Sequence, residues 1–160
     1  MNEGIDVELL NALWHKRADN SPGPEWQVLK STAIYRKHAG DIEGAIEVMV
    51  KAISLTRGVP KLQERTSISL NYLADLYLLK GATDQAEEAI REAIEFSRPD
   101  YPGLLATNLW VLAGIQFQKG AYREALVSAE ESLRVYEEQN DAYGVGQANS
   151  LIERITSKLD

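Results

Sequence analysis

The side chains able to carry acid–base or metal chemistry are few in this chain. It has two histidines, His15 and His38, and no cysteine. Neither histidine has a second potential ligand at metal-site spacing, and His38 falls at the end of a predicted helix, where the helix dipole stabilises a cation. The glycine motifs of phosphate-binding loops, nucleophile elbows and dinucleotide sites do not occur. We therefore predict that the protein is not an enzyme and uses no metal ion or cofactor.

Carboxylates are numerous, but their spacing indicates helix stability and solubility rather than catalysis. One predicted helix carries Arg91 together with Glu87, Glu88, Glu92 and Glu95. Opposite charges four residues apart stabilise a helix modestly and lie on its solvated face. The acidic run 130–138 has the same pattern, so neither cluster is assigned to a site.

The overall composition is that of an ordinary soluble globular chain. Its 160 residues carry a formal net charge of −7, with 44% hydrophobic and 26% charged residues. A negative surface disfavours extended contact with nucleic acid or anionic membranes. The apolar runs are far shorter than the roughly 20 residues of a membrane-spanning helix, and the N-terminus lacks the pattern of a signal peptide. We therefore predict a cytoplasmic protein with neither nucleic acid nor membrane among its partners.

Small residues recur at a long and nearly constant interval. Gly40, Gly81 and Gly120 are 41 and then 39 residues apart. Each lies seven residues after an alanine and five before another, and a further small residue follows after seven more. These small residues are Ala33, Ala45 and Ala52, then Ala74, Ala86 and Ala93, then Ala113, Ala125 and Ser132. A repeat of this length is typical of stacked helical hairpins, which commonly bind other proteins.

Within each unit the pattern predicts two helices joined by a glycine turn. Apolar residues before Gly81 recur at three- and four-residue spacing, as in Leu70, Leu73 and Tyr77, and a second stripe begins at Ala86. Glycine adopts left-handed backbone angles without a steric penalty and so ends the first helix. Two helices joined by a short turn pack antiparallel, and alanines permit their axes to approach closely.

This register resembles the tetratricopeptide repeat. That family has bulky, small and aromatic residues in its first helix, glycine near the turn, and two alanines in its second helix. The second unit matches throughout, with Leu70, Leu73, Ala74, Tyr77, Gly81, Ala86, Ile90 and Ala93. The third unit departs from the pattern at Ala129 and Ser132, and the first at Thr32 and Arg36.

The resemblance implies an all-α fold, a right-handed α-solenoid of antiparallel helix hairpins that forms a single domain over 1–160. We predict an N-terminal helix at 5–18, repeats at 26–57, 60–98 and 101–139, and a C-terminal capping helix at 142–158. The N-terminal helix is an end cap over the first hairpin, a dimerisation arm, or an element that moves away to admit a partner. The period exceeds the family's usual 34 residues and is similar to the lengthened repeats of kinesin light chains and of bacterial regulator and sensor proteins. A HEAT-type solenoid, with repeats of about 40–47 residues, is the alternative.

The resemblance also implies a concave groove lined by the first helix of each unit. The side chains expected to point into it are Gln27, Lys30, Ile34 and Lys37, then Ile68, Asn71, Asp75 and Leu78, then Thr107, Trp110, Gly114 and Gln118, with Asn149 and Glu153 from the capping helix. Trp110 is either a groove anchor for a partner side chain or a core residue between helices. Only Lys30 matches the residues with which family members hold a C-terminal carboxylate, so we expect no carboxylate clamp.

These features predict a non-enzymatic interaction module or adaptor that binds a segment of a partner protein in its groove. Two alternatives stay open. One is a scaffold that self-associates, with Ile152 and Ile155 of the incomplete terminal unit as apolar contacts. The other is a small tetratricopeptide chaperone or regulatory fragment of a bacterial secretion or signalling system. The sequence identifies neither the partner nor the oligomeric state.

Overall fold

The computed structural model describes residues 23–98 and 100–159. This part of the chain forms seven α-helices and a short 3₁₀ turn, Pro60–Leu62. The helices are α1 (Gly23–His38), α2 (Ile42–Thr56), α3 (Gln63–Lys80), α4 (Thr83–Ser97), α5 (Pro102–Gln118), α6 (Tyr122–Glu138) and α7 (Ala142–Thr156). The helix predicted at 5–18 lies outside the described residues.

The fold is an all-α stack of helix hairpins, which confirms the predicted fold class. Helix α1 pairs with α2, α3 with α4, and α5 with α6. Each hairpin also packs against the next, and α7 packs on α6 and α5. Contacts therefore run between neighbours along the chain, as they do in a solenoid. Among the described helices, none combines the length, apolar composition and low charge that a membrane span requires.

The turns within the hairpins share one hydrogen-bonded geometry. After α3, Gly81 has a φ of +80°, and its amide donates to the carbonyl of Leu78 at 3.0 Å. The next amide, that of Ala82, donates to the carbonyl of Tyr77 at 2.8 Å. Equivalent bonds close the turns after α1 and α5. The left-handed residue thereby satisfies the last carbonyls of the first helix and reverses the chain.

The turn between α6 and α7 has the same geometry with asparagine in place of glycine. Asn140 has a φ of 55°, and its amide donates to the carbonyl of Glu137 at 3.0 Å. Asparagine tolerates left-handed angles better than most residues. Asp141 then caps α7, because its side chain accepts a hydrogen bond from the Gly144 amide at 2.9 Å. Helix α7 is therefore joined to α6 by the same kind of turn that joins the two helices of each hairpin.

The repeated small side chains lie where the helices touch. All nine small residues of the register are at most 1% exposed. Ser132, which stands where the other units have alanine, satisfies its hydroxyl by donating to the carbonyl of Ala106 at 2.7 Å. Interiors are packed so closely that a longer side chain at these positions has no free volume to occupy.

Ion pairs link neighbouring units on the outer surface at corresponding positions. Arg57 after α2 pairs with Glu92 of α4 at 2.7 Å, and Arg98 after α4 pairs with Glu131 of α6 at 2.8 Å. These two glutamates therefore join units as well as facing solvent. Exposed pairs contribute only about 0–1 kcal/mol each, so burial of the apolar core contributes most of the stability of the stack.

We predict that Ala86→Leu lowers the free energy of unfolding by about 1–3 kcal/mol, because overpacking forces the α3–α4 hairpin apart. Urea denaturation followed by circular dichroism measures the change. Ala142→Leu, at an exposed position in the first turn of α7, is the matched control and is expected to stay within about 0.5 kcal/mol of the parent. Equal effects of the two substitutions would contradict the close-contact explanation.

Candidate functional site

A pocket of about 410 Å³ lies where α3, α5 and α7 face one another. Its wall consists of Asn71, Tyr72, Asp75 and Leu78 from α3, Trp110, Val111, Gly114, Ile115, Phe117 and Gln118 from α5, and Leu151 and Arg154 from α7. Most of these side chains are apolar. Because three separate helices contribute to it, the pocket exists only in the stacked fold.

The pocket brings together several of the residues that the sequence assigns to the groove. They are Asn71, Asp75, Leu78, Trp110 and Gln118, with Gly114 between the last two. Their position along α3 and α5 follows from the helical spacing of the family register, which places them on one face. Their role in binding stays a prediction.

The other predicted groove residues lie outside the pocket wall. Gln27, Thr107, Asn149 and Glu153 are exposed, and Lys30, Ile34, Lys37 and Ile68 are half-buried. Lys37 is connected to the pocket through an ion pair with Asp75, Nζ to Oδ2 at 2.5 Å. Lys30 instead lies over the ring of Trp26, 4.7 Å from its centroid. The predicted positions on α1 therefore lie outside this pocket, and Lys37 alone among them is paired with a residue of its wall.

Half of the pocket wall was not predicted from the sequence. These residues are Tyr72, Val111, Ile115, Phe117, Leu151 and Arg154. The family register places Phe117 and Leu151 between paired helices, yet both also reach the pocket. Val111 and Phe117 are direct neighbours in sequence of Trp110 and Gln118, two of the groove positions predicted on α5. Including the neighbour of each predicted position would therefore have added both residues. The same extension on α7, from the predicted Glu153, would have included Arg154.

Trp110 belongs to both the core and the pocket. It is half-buried and packs against the apolar core residues, while the same side chain lines the pocket. Its indole Nε1 donates to the main-chain carbonyl of Gln147 in α7 at 3.3 Å. The indole donor is thus already used within the chain, and the surface that Trp110 offers to a partner is the apolar ring.

A buried polar ladder orients the side-chain amide of Asn71. Its Nδ2 donates to Oδ1 of Asn108 at 2.8 Å. Asn108 is 1% exposed and donates in turn to the hydroxyls of Ser67 at 3.0 Å and Ser97 at 3.3 Å. Both hydroxyls donate to main-chain carbonyls of α4. Because a carbonyl only accepts, the ladder has one direction, and the Asn71 oxygen is left to accept from a ligand.

Charged side chains of neighbouring units pair with one another on the surface. Lys119, which follows α5, lies 2.7 Å from a carboxylate oxygen of both Asp84 and Glu87. These hydrogen bonds raise the pKa of Lys119 and lower the pKa of each carboxyl group. Within residues 23–98 and 100–159, no three potential His, Asp or Glu ligands lie close enough together to hold a metal ion.

A family model decides between the two repeat classes that the sequence leaves open. Residues 69–100, which include the Gly81 turn and all of α4, match the model of the tetratricopeptide repeat. The fold is a tetratricopeptide-like solenoid. The HEAT-type alternative is therefore set aside, and the match coincides with the unit whose residues follow the repeat pattern most completely.

Solved structures share this tetratricopeptide-like fold at low sequence identity. The apo form of RapI gives a TM-score of 0.85 at 10% identity, covering 96% of this chain and 55% of RapI. Aspartyl phosphate phosphatase F from Bacillus subtilis gives a TM-score of 0.79 at 15% identity, covering 89% of this chain and 37% of that protein. BtubC from P. vanneervenii gives 0.65 at 16% identity, with coverages of 96% and 73%.

The tetratricopeptide-like chain thus corresponds to 55% of the length of the first of these structures and 37% of the second. At such identities the likeness concerns the fold. No curated protein sequence matches the chain.

Gly114 has no local reason to be glycine. A Cβ added at this position in α5 meets no atom within 4 Å, and the same is true of Gly146 in α7, which lies outside the pocket wall. Gly81 differs, because its φ of +80° disfavours any side chain. These three glycines therefore form a matched set for separating helix propensity from turn geometry.

We predict that Gly114→Ala and Gly146→Ala each raise the free energy of unfolding by about 0.5–1 kcal/mol, because alanine loses less conformational entropy in a helix. Gly81→Ala is expected to lower it by about 1–2 kcal/mol, because alanine is strained at a left-handed position. Denaturant unfolding of the three variants measures these changes. A marked loss of stability in Gly114→Ala alone would show that the fold requires glycine there.

Proposed function

We propose that this chain is a non-enzymatic interaction module, or adaptor, that binds a segment of a partner protein in a concave groove centred on the α3–α5–α7 pocket. The pocket is the observation that carries the proposal. Apolar side chains surround the exposed ring surface of Trp110, and the Asn71 oxygen is oriented to accept a hydrogen bond. Aromatic side chains in partly desolvated concavities are typical of binding hot spots.

The chemistry of the pocket suits a polypeptide. A peptide supplies apolar side chains for the walls and main-chain N–H groups for the Asn71 oxygen. The net charge of −7 opposes binding to polyanions. The proposal therefore has a protein or peptide as partner, with neither nucleic acid nor membrane, and includes the cytoplasmic location that the sequence predicts.

The fold supports this proposal. Solenoids of helical repeats present extended concave surfaces, and these surfaces are the ones with which they bind other proteins. The phosphatase activity in the name of the Bacillus subtilis relative is said of that protein, of which this chain covers 37%. That activity forms no part of the proposal.

Short peptides selected against the full chain from a displayed random library provide the test. We predict that Trp110→Ala and Asn71→Ala each weaken the binding of selected peptides by about tenfold or more, because each removes a central contact of the groove. Fluorescence anisotropy of labelled peptides measures the affinities. Tyr143→Ala removes an aromatic ring that is 77% exposed and outside the pocket wall, and it is expected to leave binding unchanged. Unchanged binding by a Trp110→Ala, Asn71→Ala double variant would contradict the site.

Self-association through the terminal helix has less support from the structure. Of the two apolar residues that the sequence offers for it, Ile155 is fully buried and Ile152 packs against a core cluster of α5, α6 and α7. We predict a monomer of 17.8 kDa in multi-angle light scattering at high protein concentration. A stable dimer that selected peptides do not dissociate would favour the scaffold alternative.

A further inference from the structure

Gly114 lowers the stability of α5 and leaves space open in the pocket. Its φ lies outside the left-handed region, and a Cβ added there meets no atom within 4 Å. Trp110 and Gln118, one helical turn to either side, line the same pocket. Glycine inside a helix weakens it, so the residue at this position departs from local preference while leaving volume open to a ligand.

Large apolar side chains surround this open volume. Leu78 comes from α3, Trp110 and Phe117 come from α5, and Leu151 comes from α7. The volume of about 410 Å³ lies in the range of specific ligand pockets, about 300–1,000 Å³. Covering apolar surface with an apolar group is favourable, so the pocket suits one large aromatic or aliphatic side chain.

The carboxylate of the pocket wall is already paired. The Asp75 carboxylate pairs with Lys37 at 2.5 Å. Lys37 is therefore not available to a ligand without breaking this pair.

Arg154 differs from these groups. It lines the pocket, and its guanidinium carbon lies 5.2 Å from the ring centroid of Phe117. No carboxylate of residues 23–98 or 100–159 forms an ion pair with it. Stacking on an aromatic ring orients a guanidinium and leaves its N–H groups free to bind a carboxylate in two-point contact.

We propose that the pocket over Gly114 binds one large apolar side chain of the partner segment and that Arg154 binds an acidic side chain near it in the same segment. The inference rests on the proposed function, because it specifies the segment that the groove recognises. In this arrangement Gly114 determines the size of the accepted side chain, and Arg154 determines the charge beside it.

The peptides selected from the random library test both parts. We expect the enriched sequences to share Phe, Trp, Leu or Met within one helical turn of Asp or Glu. Gly114→Leu places a side chain in the pocket and is expected to lower the affinity for these peptides by about tenfold or more. Gly146→Leu makes the same replacement in a helix outside the pocket wall and is expected to leave affinity unchanged. Circular dichroism establishes whether both variants are folded. If Gly114→Leu disturbs the fold, Gly114→Ala replaces it in the test and is expected to give a smaller loss of peptide affinity.

A double-mutant cycle tests the charge. Arg154→Gln is expected to lower the affinity for an acidic peptide by about tenfold. The affinity for the same peptide with amides in place of its carboxylates is expected to stay unchanged. Arg154→Glu is expected to favour a basic peptide over the acidic one. Lys158→Gln, which removes a cation beyond α7 and outside the pocket wall, is the matched control.

The outcomes separate this inference from the function on which it rests. Peptides that lose affinity in Trp110→Ala but respond to neither Gly114→Leu nor Arg154→Gln overturn the inference and leave the interaction module standing. Enriched sequences without acidic residues overturn the charge assignment. If no peptide is enriched, or if enriched peptides bind the Trp110→Ala, Asn71→Ala double variant unchanged, both the inference and the proposed function fail.

Discussion

The close contact of paired helices over alanine side chains is the constraint on which the rest of this structure depends. Ala86 and Ala125 are fully buried where the two helices of a hairpin meet, and axes that approach over methyl groups leave no space for longer side chains. A left-handed glycine after the first helix of each hairpin returns the chain into that contact at once. Each hairpin is therefore closed by the same turn and packs against the next one along the chain.

Stacking of similar hairpins explains how distant segments form one site. Leu78, Trp110 and Leu151 belong to three successive first helices and meet in a single pocket. Helical backbone holds these side chains more precisely than loops would. The buried Asn108 adds orientation, because its hydrogen bonds offset the cost of burying an amide and engage the Asn71 Nδ2, which leaves the Asn71 oxygen unused by Asn108.

The arrangement of charges follows the same stacking. Ion pairs recur between neighbouring units, and each is weak on its own because solvent screens it. One of them, between Lys37 and Asp75, occupies the carboxylate of the pocket wall. The Arg154 guanidinium, held against an aromatic ring, is left as the positive group of the described pocket wall. The positive charge of the described pocket wall is therefore concentrated at one residue, although the chain as a whole is acidic.

The sequence by itself determined the helices of the repeats and the glycine turns between them, because those features depend on spacings within one unit, such as Leu70, Leu73 and Gly81. The family register also placed Asn71 and Trp110 on the side where the pocket lies. Only the tertiary structure decided that Asn71 meets Asn108, 37 positions away, and that Arg154 completes the wall. Such contacts are set by how closely one hairpin packs on the next, and no local spacing records that distance.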